Sequence, residues 1–485
     1  MSDWETVIGL EIHTQLSTKS KIFSASSTSY GSEPNKQASY VDLGLPGTLP
    51  VLNKLVIKKA VEFGLAINAN ISKHSIFARK NYFYPDLPRN YQISQLDFPI
   101  VEGGYIDIVT EENISKRINV TRAHLEEDAG KSIHSNEGNC TYIDLNRAGT
   151  PLLEIVSEPE MCSAKEAVLY MKKVHSIVTY LKISDGNMQE GSFRCDANVS
   201  IRKVGEKKLG TRTELKNINS FKFVEKAINY EVQRQIDLLE EGKRITQETR
   251  LYDENKNITK SMRSKEEAND YRYFPDPDLL PIKIDDEYIL EIKKTLPDLP
   301  DVKEKYYRSR HSLTDEQIKI ILSNQTLSGF VDKVLEISKI DAKKIVNYFI
   351  SSIYKKVNKE NISLLKDIIT PEDFYLVVES VENQTVTKNN LKNLVDEIWE
   401  NKKSASEAIE KFSNKNEDDE LINNIIIDII NKNEKQVLEY KSGKTKILGF
   451  FVGQTLKQSK GSDPSFIKNQ VIKALDAIWK YRYSI

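Results

Sequence analysis

The sequence of 485 residues is poor in cysteine, in long apolar runs and in net charge. The cysteines, Cys140, Cys162 and Cys195, form no closely spaced pair, which excludes a disulfide framework and a four-cysteine zinc site. No run approaches the roughly 18 apolar residues of a membrane-spanning helix, and the chain opens with no basic, then apolar, leader. We therefore expect a cytoplasmic protein that does not bind or cross a membrane.

The near absence of net charge limits the classes of partner. A formal charge of −1 and a pI of about 6.7 exclude a globally basic nucleic-acid binder. A local basic patch remains compatible with these values, because net charge averages over domains. Apolar residues make up 39% and charged residues 29%, which is typical of a globular protein. The length supports two or three domains.

Hydrophobic patterning changes near residue 295. Before it, short alternating runs mix irregularly with helical segments, which predicts an α+β domain. After it the pattern is almost entirely helical, with capping boxes expected at Thr314 and Ser404 and an N-cap at Thr370. We predict a mixed α/β domain over 1–295, a helical domain over 296–405 and a small helical tail domain over 406–485. The predicted strands include 6–16, 118–127, 141–146, 152–156, 193–202 and 211–217.

Carboxylates recur on the predicted strands of the first domain. Glu11 and His13 are two residues apart on one strand, so both side chains point to the same face. His124 and Glu126 share a face in the same way. Several carboxylates with an imidazole would suit Mg²⁺, which takes oxygen ligands. The alternative is that these groups are solvated strand faces and surface ion pairs, and spacing alone leaves both interpretations open.

The sequence has no phosphate-binding loop. Residues 128–132 resemble the end of a Walker A motif, but Leu125 stands where its first glycine should be. No G-x-G-x-x-G and no nucleophile elbow is present. A bound nucleotide would therefore be held through cations and basic side chains. The loop 79–95 combines bases, aromatics, prolines and amides, as site loops do, although a purely structural loop is equally compatible.

Lysines are concentrated near the C-terminus. The segment from residue 432 to residue 460 contains seven lysines and two glutamates, with aromatic residues interleaved. Such a surface suits the phosphate backbone of a nucleic acid. A solvated helix face would look the same.

Nine motifs in order from end to end carry a resemblance to a known family. They span residues 7–13 (VIGLEIH), 45–50 (LPGTLP), 79–95 (beginning RKNYFYP), 122–131 (RAHLEEDAGK), 144–155 (DLNRAGTPLLEI), 185–192 (DGNMQEGS), 248–250, 271–279 (YRYFPDPDL) and 449–461. Together they resemble the B-subunit family of the glutamyl/aspartyl-tRNA amidotransferases.

The resemblance implies a heterotrimer with an amidase A subunit and a small C subunit. The B subunit would bind Glu-tRNA(Gln), and also Asp-tRNA(Asn). It would use ATP and Mg²⁺ to convert the side-chain carboxylate to an acyl phosphate, which ammonia channelled from the A subunit would displace. Residues 1–295 would form the cradle domain that holds this site, and the tail domain would contact the tRNA.

Site residues carried over by this resemblance are expectations. The catalytic set is Glu11, His13, Glu127 and Lys80, with Lys80 near the mouth of the ammonia channel. The metal set is Glu11, His13, Glu127, Asp196 and Glu214, with Glu154 a weaker member. The tRNA-binding set is Lys441, Lys444, Lys446, Lys457 and Lys460.

The chain departs from the family pattern in two places. Many relatives carry four zinc-binding cysteines before the LPG segment, where this chain has 23–26 (FSAS) and 39–42 (SYVD). We therefore predict that no structural zinc binds. Ala78 stands where the family pattern has an aspartate, which would remove a local ion pair.

Two other functions compete with this one. The first is a non-catalytic RNA-binding scaffold of the same complex, in which the lysines bind and the carboxylates are structural. The second is a free-standing carboxylate–amine ligase, which is disfavoured because the chain has no identifiable glutaminase nucleophile.

Overall fold

A computed structural model describes residues 3–135, 140–264, 271–357, 365–413, 416–459 and 464–482. The chain divides into two compact units, residues 1–302 and 303–485. The first unit contains both strands and helices and the second is helical, so the predicted α+β class is confirmed. The finer division into three domains stays a prediction.

The first unit contains seventeen strands and four helices among the residues described. The strands are β1 Trp4–Gln15, β2 Asn70–Ile71, β3 His74–Ser75, β4 Ala78–Asn81, β5 Tyr91–Ser94, β6 Val101–Glu102, β7 Tyr105–Val109, β8 Ser115–Glu127, β9 Lys131–His134, β10 Thr141–Asp144, β11 Pro151–Ser157, β12 Phe193–Lys203, β13 Thr213–Lys216, β14 Glu248–Asp253, β15 Ile258–Ser264, β16 Phe274–Pro275 and β17 Ile282–Lys283. The helices are α1 Lys54–Ala66, α2 Ala164–Tyr180, α3 Phe221–Glu240 and α4 Asp286–Thr295.

One large sheet dominates this unit. Its strand order is β15-β14-β13-β12-β1-β11-β8-β6-β2, with β7 paired to β8. The long central strand β1 lies antiparallel to both β11 and β12. All six predicted strands named above are present, each within a few residues of its predicted bounds. Three smaller sheets join β16-β4-β5, β10-β9 and β17-β3.

The two faces of the large sheet differ in chemistry. Ile8, Leu10 and Ile12 of β1 are buried in a core that also contains Met171 of α2 and Val224 of α3. Because successive side chains of a strand point to opposite faces, the residues between them belong to the other, polar face. The helices therefore cover one face and leave the second available for a site.

The second unit is helical throughout the residues described. Its helices are α5 Pro300–His311, α6 Asp315–Leu322, α7 Gln325–Ile337, α8 Ala342–Tyr348, α9 Lys355–Val357, α10 Leu365–Ile368, α11 Pro371–Glu382, α12 Leu391–Asn401, α13 Ala405–Phe412, α14 Asn416–Lys432, α15 Glu434–Lys441, α16 Leu448–Gln458 and α17 Pro464–Arg482, with a π-helical turn at Phe349–Tyr354 and 3₁₀ turns at Lys388–Asn390 and Thr445–Ile447.

Capping residues in the sequence correctly predicted where several of these helices begin. Thr314 and Ser404 form the predicted capping boxes, and Thr370 caps α11 ahead of Pro371. One hydrophobic cluster joins residues between Tyr307 and Ala408, and another joins residues between Ile422 and Leu475. None of the helices described combines the length and apolar character needed to cross a bilayer.

Candidate active site

The polar face of the large sheet gathers acidic and imidazole side chains around β1. Glu11 lies opposite Asp196 of β12, and His13 lies opposite Glu154 of β11. On the next strand His124 lies opposite Glu154. Cross-strand neighbours share a face, so antiparallel pairing brings together residues that are far apart in sequence.

His13, Glu126 and Glu154 form one cluster, which we call the histidine group. Their ligand atoms all lie within 4.8 Å of one another. His13 Nε2 is 3.2 Å from Glu154 Oε2 and 3.6 Å from Glu126 Oε1. His124 Nε2 lies 3.3 Å from Glu154 Oε2 on the opposite side. The imidazole of His13 and the carboxylates of Glu126 and Glu154 thus lie close together on the polar face.

Glu11, Asp196 and Glu214 form a second cluster, which we call the carboxylate group. Their oxygens also lie within 4.8 Å of one another. Asn198 Nδ2 donates to Glu11 Oε1 at 2.8 Å. Lys216 Nζ donates to Asp196 Oδ2 at 2.6 Å and lies 3.2 Å from Glu214 Oε1. Because Glu11 and His13 are alternate residues of one strand, the two groups are neighbours.

The mutual influence of these charges appears in their pKa values. Burial raises the pKa of the Glu11 carboxyl, and the carboxylate of Glu154 acts in the same direction. Burial also opposes ionisation of Glu154, but the imidazoles of His124 and His13 hold its pKa well below its usual range. Burial lowers the pKa of His13 less than the carboxylates of Glu154 and Glu126 raise it, so it reaches about 9. His13 is therefore protonated at neutral pH when no cation is bound.

The protonated imidazole makes stability depend on pH. The folded pKa of His13 is about 9 against an ordinary value of 6.5. The folded state therefore binds more protons than the unfolded state between these values, and stability falls as pH rises. At about 1.4 kcal/mol per pKa unit, His13 contributes about 3.5 kcal/mol of folding stability below pH 6.5, which is lost as pH rises through 9. We expect the midpoint temperature of thermal unfolding of the chelator-treated wild type to decrease as the pH is raised from 6.5 to 9.5.

The matched comparison is His13→Gln, which keeps a polar side chain without the titration. Its midpoint should fall less over the same pH interval, because the pairing lost at high pH is already missing. Parallel curves for the two proteins would show that His13 is neutral in the folded state.

Glu127, predicted as a catalytic and metal residue, lies outside both groups. Its Oε1 accepts hydrogen bonds from the Arg89 guanidinium and, at 2.8 Å, from the Ile93 amide. Burial raises the pKa of Glu127 more than Arg89 lowers it. The neighbouring carboxylate, Glu126, takes the position beside His13 instead. The alternation of side chains along a strand could have identified Glu126 from the sequence, because Glu126 shares a strand face with His124 and Glu127 does not.

Lys80 lies close to the histidine group although it belongs to another sheet. It extends from β4, with Nζ 4.9 Å from the ring centre of Tyr271. Burial lowers its pKa, but Glu126 and other nearby groups raise it above its ordinary value. Lys80 thus brings a positive charge to the side of the face where Glu126 lies.

Two cavities on the polar face each border the carboxylate group. One, of about 770 Å³, is lined by Gln15, Lys131, Arg147, Arg194 and Asp196 among others. The other, of about 460 Å³, is lined by Gly9, Glu11, Asn198, Arg212 and Gln247 among others. Each cavity therefore reaches the carboxylate group from a different direction. Both volumes are in the range of small-molecule sites.

The segments that replace the expected cysteines form a hydrogen-bonded cluster on Asp42. Its carboxylate accepts from the hydroxyls of Ser24 at 2.9 Å, Ser26 at 2.8 Å and Ser39 at 3.0 Å. Lys21 Nζ lies 3.4 Å from the same carboxylate, and burial lowers the pKa of Lys21. These contacts join the two segments through side chains. The absence of zinc stays a prediction.

The other sequence predictions fall in two places. Ala78 is buried in β4, and the neighbouring Arg79 pairs with Asp276 at 3.0 Å and Asp278 at 2.8 Å. Lys444, Lys446 and Lys457 are exposed in the second unit, as a surface contacting tRNA requires. The side chain of Lys441 and the whole of Lys460 lie outside the described residues.

Comparison with known proteins covers almost the whole chain. Residues 6–290 match the family described as the GatB/GatE catalytic domain, and residues 329–475 match the GatB domain. The chain is 53% identical over 477 residues to the aspartyl/glutamyl-tRNA(Asn/Gln) amidotransferase B subunit of Alkalilimnicola ehrlichii, covering 98% of this chain and 100% of the relative.

Proteins with the same name give similar values in two further organisms. Identity is 51% over 475 residues with that of Halorhodospira halophila, covering 98% of this chain and 99% of the relative. It is 51% over 476 residues with that of Pseudomonas syringae pv. syringae, covering 97% and 99%.

Proposed function

This chain belongs to the GatB/GatE family, among the B subunits of the aspartyl/glutamyl-tRNA amidotransferases, and on that premise we propose that it activates the side-chain carboxylate of a misacylated tRNA with ATP. The observation that carries the proposal is the convergence of two acidic groups on one open sheet face. Its substrates would be Glu-tRNA(Gln) and Asp-tRNA(Asn). Its partners would be the amidase and the small third chain of a heterotrimer, and the complex would work in the cytoplasm.

The donor atoms of the two groups fit divalent cations. Five carboxylates and one imidazole suit Mg²⁺, since that ion prefers oxygen ligands and keeps positions for water and phosphate. The histidine group and the carboxylate group would each hold an ion. When bound, such ions neutralise phosphate oxygens and orient them for transfer.

The chemistry requires two anions to meet. A carboxylate oxygen of the aminoacyl side chain attacks the terminal phosphorus of ATP, and ADP leaves. Ammonia then attacks the acyl carbon, an amide forms and inorganic phosphate leaves. Lys80 lies on the side of the histidine group and would hold the substrate carboxylate by its charge.

The two cavities give the substrates separate approaches. Cavities of about 770 and 460 Å³ reach the carboxylate group from opposite ends of β1. The nucleotide and the 3′ end of the tRNA would each occupy one, so that the terminal phosphate and the aminoacyl carboxylate meet over Glu11 and His13. Positioning of this kind supplies much of the rate in phosphoryl transfer.

An isotope experiment tests the acyl phosphate. Glu-tRNA(Gln) labelled with ¹⁸O in the side-chain carboxylate is incubated with the assembled complex, ATP and glutamine. The inorganic phosphate released should carry one ¹⁸O atom per amide formed, because the bridging oxygen leaves with phosphorus. Unlabelled phosphate together with normal amide formation would contradict the proposal.

The same assay addresses the alternative of a non-catalytic scaffold. If this chain only binds RNA, it should not make ATP hydrolysis depend on aminoacyl-tRNA. The control is this chain alone, supplied with ammonium in place of the amidase. Formation of ADP under these conditions would assign the ATP-dependent step to this chain.

A further inference from the structure

Lys216 occupies a distinctive position in the carboxylate group. It is the last residue of β13, two positions after Glu214, so its side chain lies on the same polar face. Its ammonium donates to Asp196 Oδ2 at 2.6 Å and lies 3.2 Å from Glu214 Oε1. It therefore contacts two of the three carboxylates that would hold a cation.

Two further polar contacts of the group come from neutral side chains. Asn198 donates to Glu11 at 2.8 Å, and the Thr249 hydroxyl donates to Glu214 Oε2 at 2.7 Å. These partners orient the carboxylates but offset no charge. Lys216 supplies a positive charge directly to oxygens that a divalent cation would coordinate, so the ammonium and the cation cannot make the same contacts at once.

From this geometry we propose that Lys216 is an exchangeable counter-ion, which yields Asp196 and Glu214 to a divalent cation and then contacts a phosphate of the nucleotide. The inference rests on the proposed function, because it assumes a cation at these carboxylates. It assigns Lys216 a role in substrate binding.

The side chain has the freedom that such an exchange needs. About a third of it is exposed, and its four-carbon stem rotates without movement of the strand. The residues that follow it, Asn217, Ile218 and Asn219, line the cavity of about 770 Å³ together with Asp196. An ammonium that leaves Asp196 is therefore already at the edge of a space wide enough for a nucleotide.

The test measures cation binding by the full chain without nucleotide. Mn²⁺ serves as the probe because it can be counted by electron paramagnetic resonance. We expect Lys216→Met to lower the Mn²⁺ dissociation constant by about tenfold. Removing one close positive charge should change the affinity for the cation by about as much as it would shift a neighbouring pKa, which is about one unit. In saturating Mg²⁺, the same variant should bind a non-hydrolysable ATP analogue about tenfold more weakly.

Three further variants separate charge from packing. Lys216→Arg keeps the charge and should restore both affinities towards the wild-type values. Lys216→Gln is a second neutral variant that should behave like Lys216→Met. Lys208→Met, an exposed lysine in the connection between β12 and β13, should change neither affinity.

The outcomes distinguish this inference from the proposed function. If wild type binds Mn²⁺ at a site that Asp196→Asn removes, but Lys216→Met and Lys216→Gln bind it no more tightly, the exchange is wrong and the proposed function stands. If Asp196→Asn removes no Mn²⁺ site, both are wrong. Tighter Mn²⁺ binding with weaker nucleotide binding in the neutral variants supports the exchange.

Discussion

Alanine at Glu11 or Asp196 is expected to abolish ATP-dependent amidation, with a loss of about a thousandfold, while the complex with the partner chains still assembles. The two carboxylates face each other across β1 and β12 and belong to the same group. Each substitution removes oxygens that would hold a cation against the terminal phosphate. Two anions would then have to approach each other without compensation.

Assembly should survive because both side chains lie on the polar face and contribute little to the core. Glu11 alternates with Leu10 and Ile12, which are buried and remain unchanged. The measurement pairs amide formation on Glu-tRNA(Gln) with size-exclusion chromatography of the complex. Loss of activity with loss of assembly would indicate a structural effect.

A matched control is available on the same strand. Glu5 lies on β1, six residues before Glu11, and pairs with Arg202 at 3.0 Å away from both groups. Glu5→Ala should keep amidation close to the wild-type rate. Normal amidation in both the Glu11→Ala and Asp196→Ala variants would remove the carboxylate group from the mechanism.

The second large effect is expected on tRNA binding when the five tail lysines, 441, 444, 446, 457 and 460, are changed together to alanine. Each phosphate contact releases about 0.9 of a counterion. Loss of five contacts should raise the dissociation constant at 0.1 M salt by at least about a hundredfold and flatten its dependence on salt. The exposed side chains of Lys444, Lys446 and Lys457 are compatible with such contacts.

A control with the same change in net charge uses five exposed lysines of the second unit outside the tail: Lys319, Lys333, Lys339, Lys343 and Lys392. Filter binding over a salt series measures both proteins. If the two quintuple variants weaken binding equally, total charge is responsible and the tail has no specific role. Unchanged binding in the tail variant would show that its lysines are merely solvated.

Local sequence patterns predicted the strands and helix caps well, because side-chain alternation and capping depend only on residues that are near each other in sequence. Alternation identified β1, and hydroxyl residues at fixed spacing identified the caps of α6, α11 and α13. The shared face of Glu11 and His13 followed from alternation alone. These features need no knowledge of the remainder of the chain.

The composition of the site needed long-range information. Residue 13 meets residue 154, and residue 11 meets residue 196, through a strand order that no local pattern specifies. The resemblance identified most members of the two groups but pointed to Glu127, and the structure brings Glu126 to His13. Lys216 was missed, although it shares a strand face with Glu214.

Because two glutamates are adjacent on β8, a change of one residue in the length of that strand would alter which of them lies beside His13. Glu126 points to the polar face, whereas Glu127 is held on Arg89 and Ile93. Deleting one residue upstream within the paired stretch would exchange the two orientations and present the wrong carboxylate to His13. We therefore expect insertions and deletions in β8 to be eliminated during evolution even where its individual side chains vary.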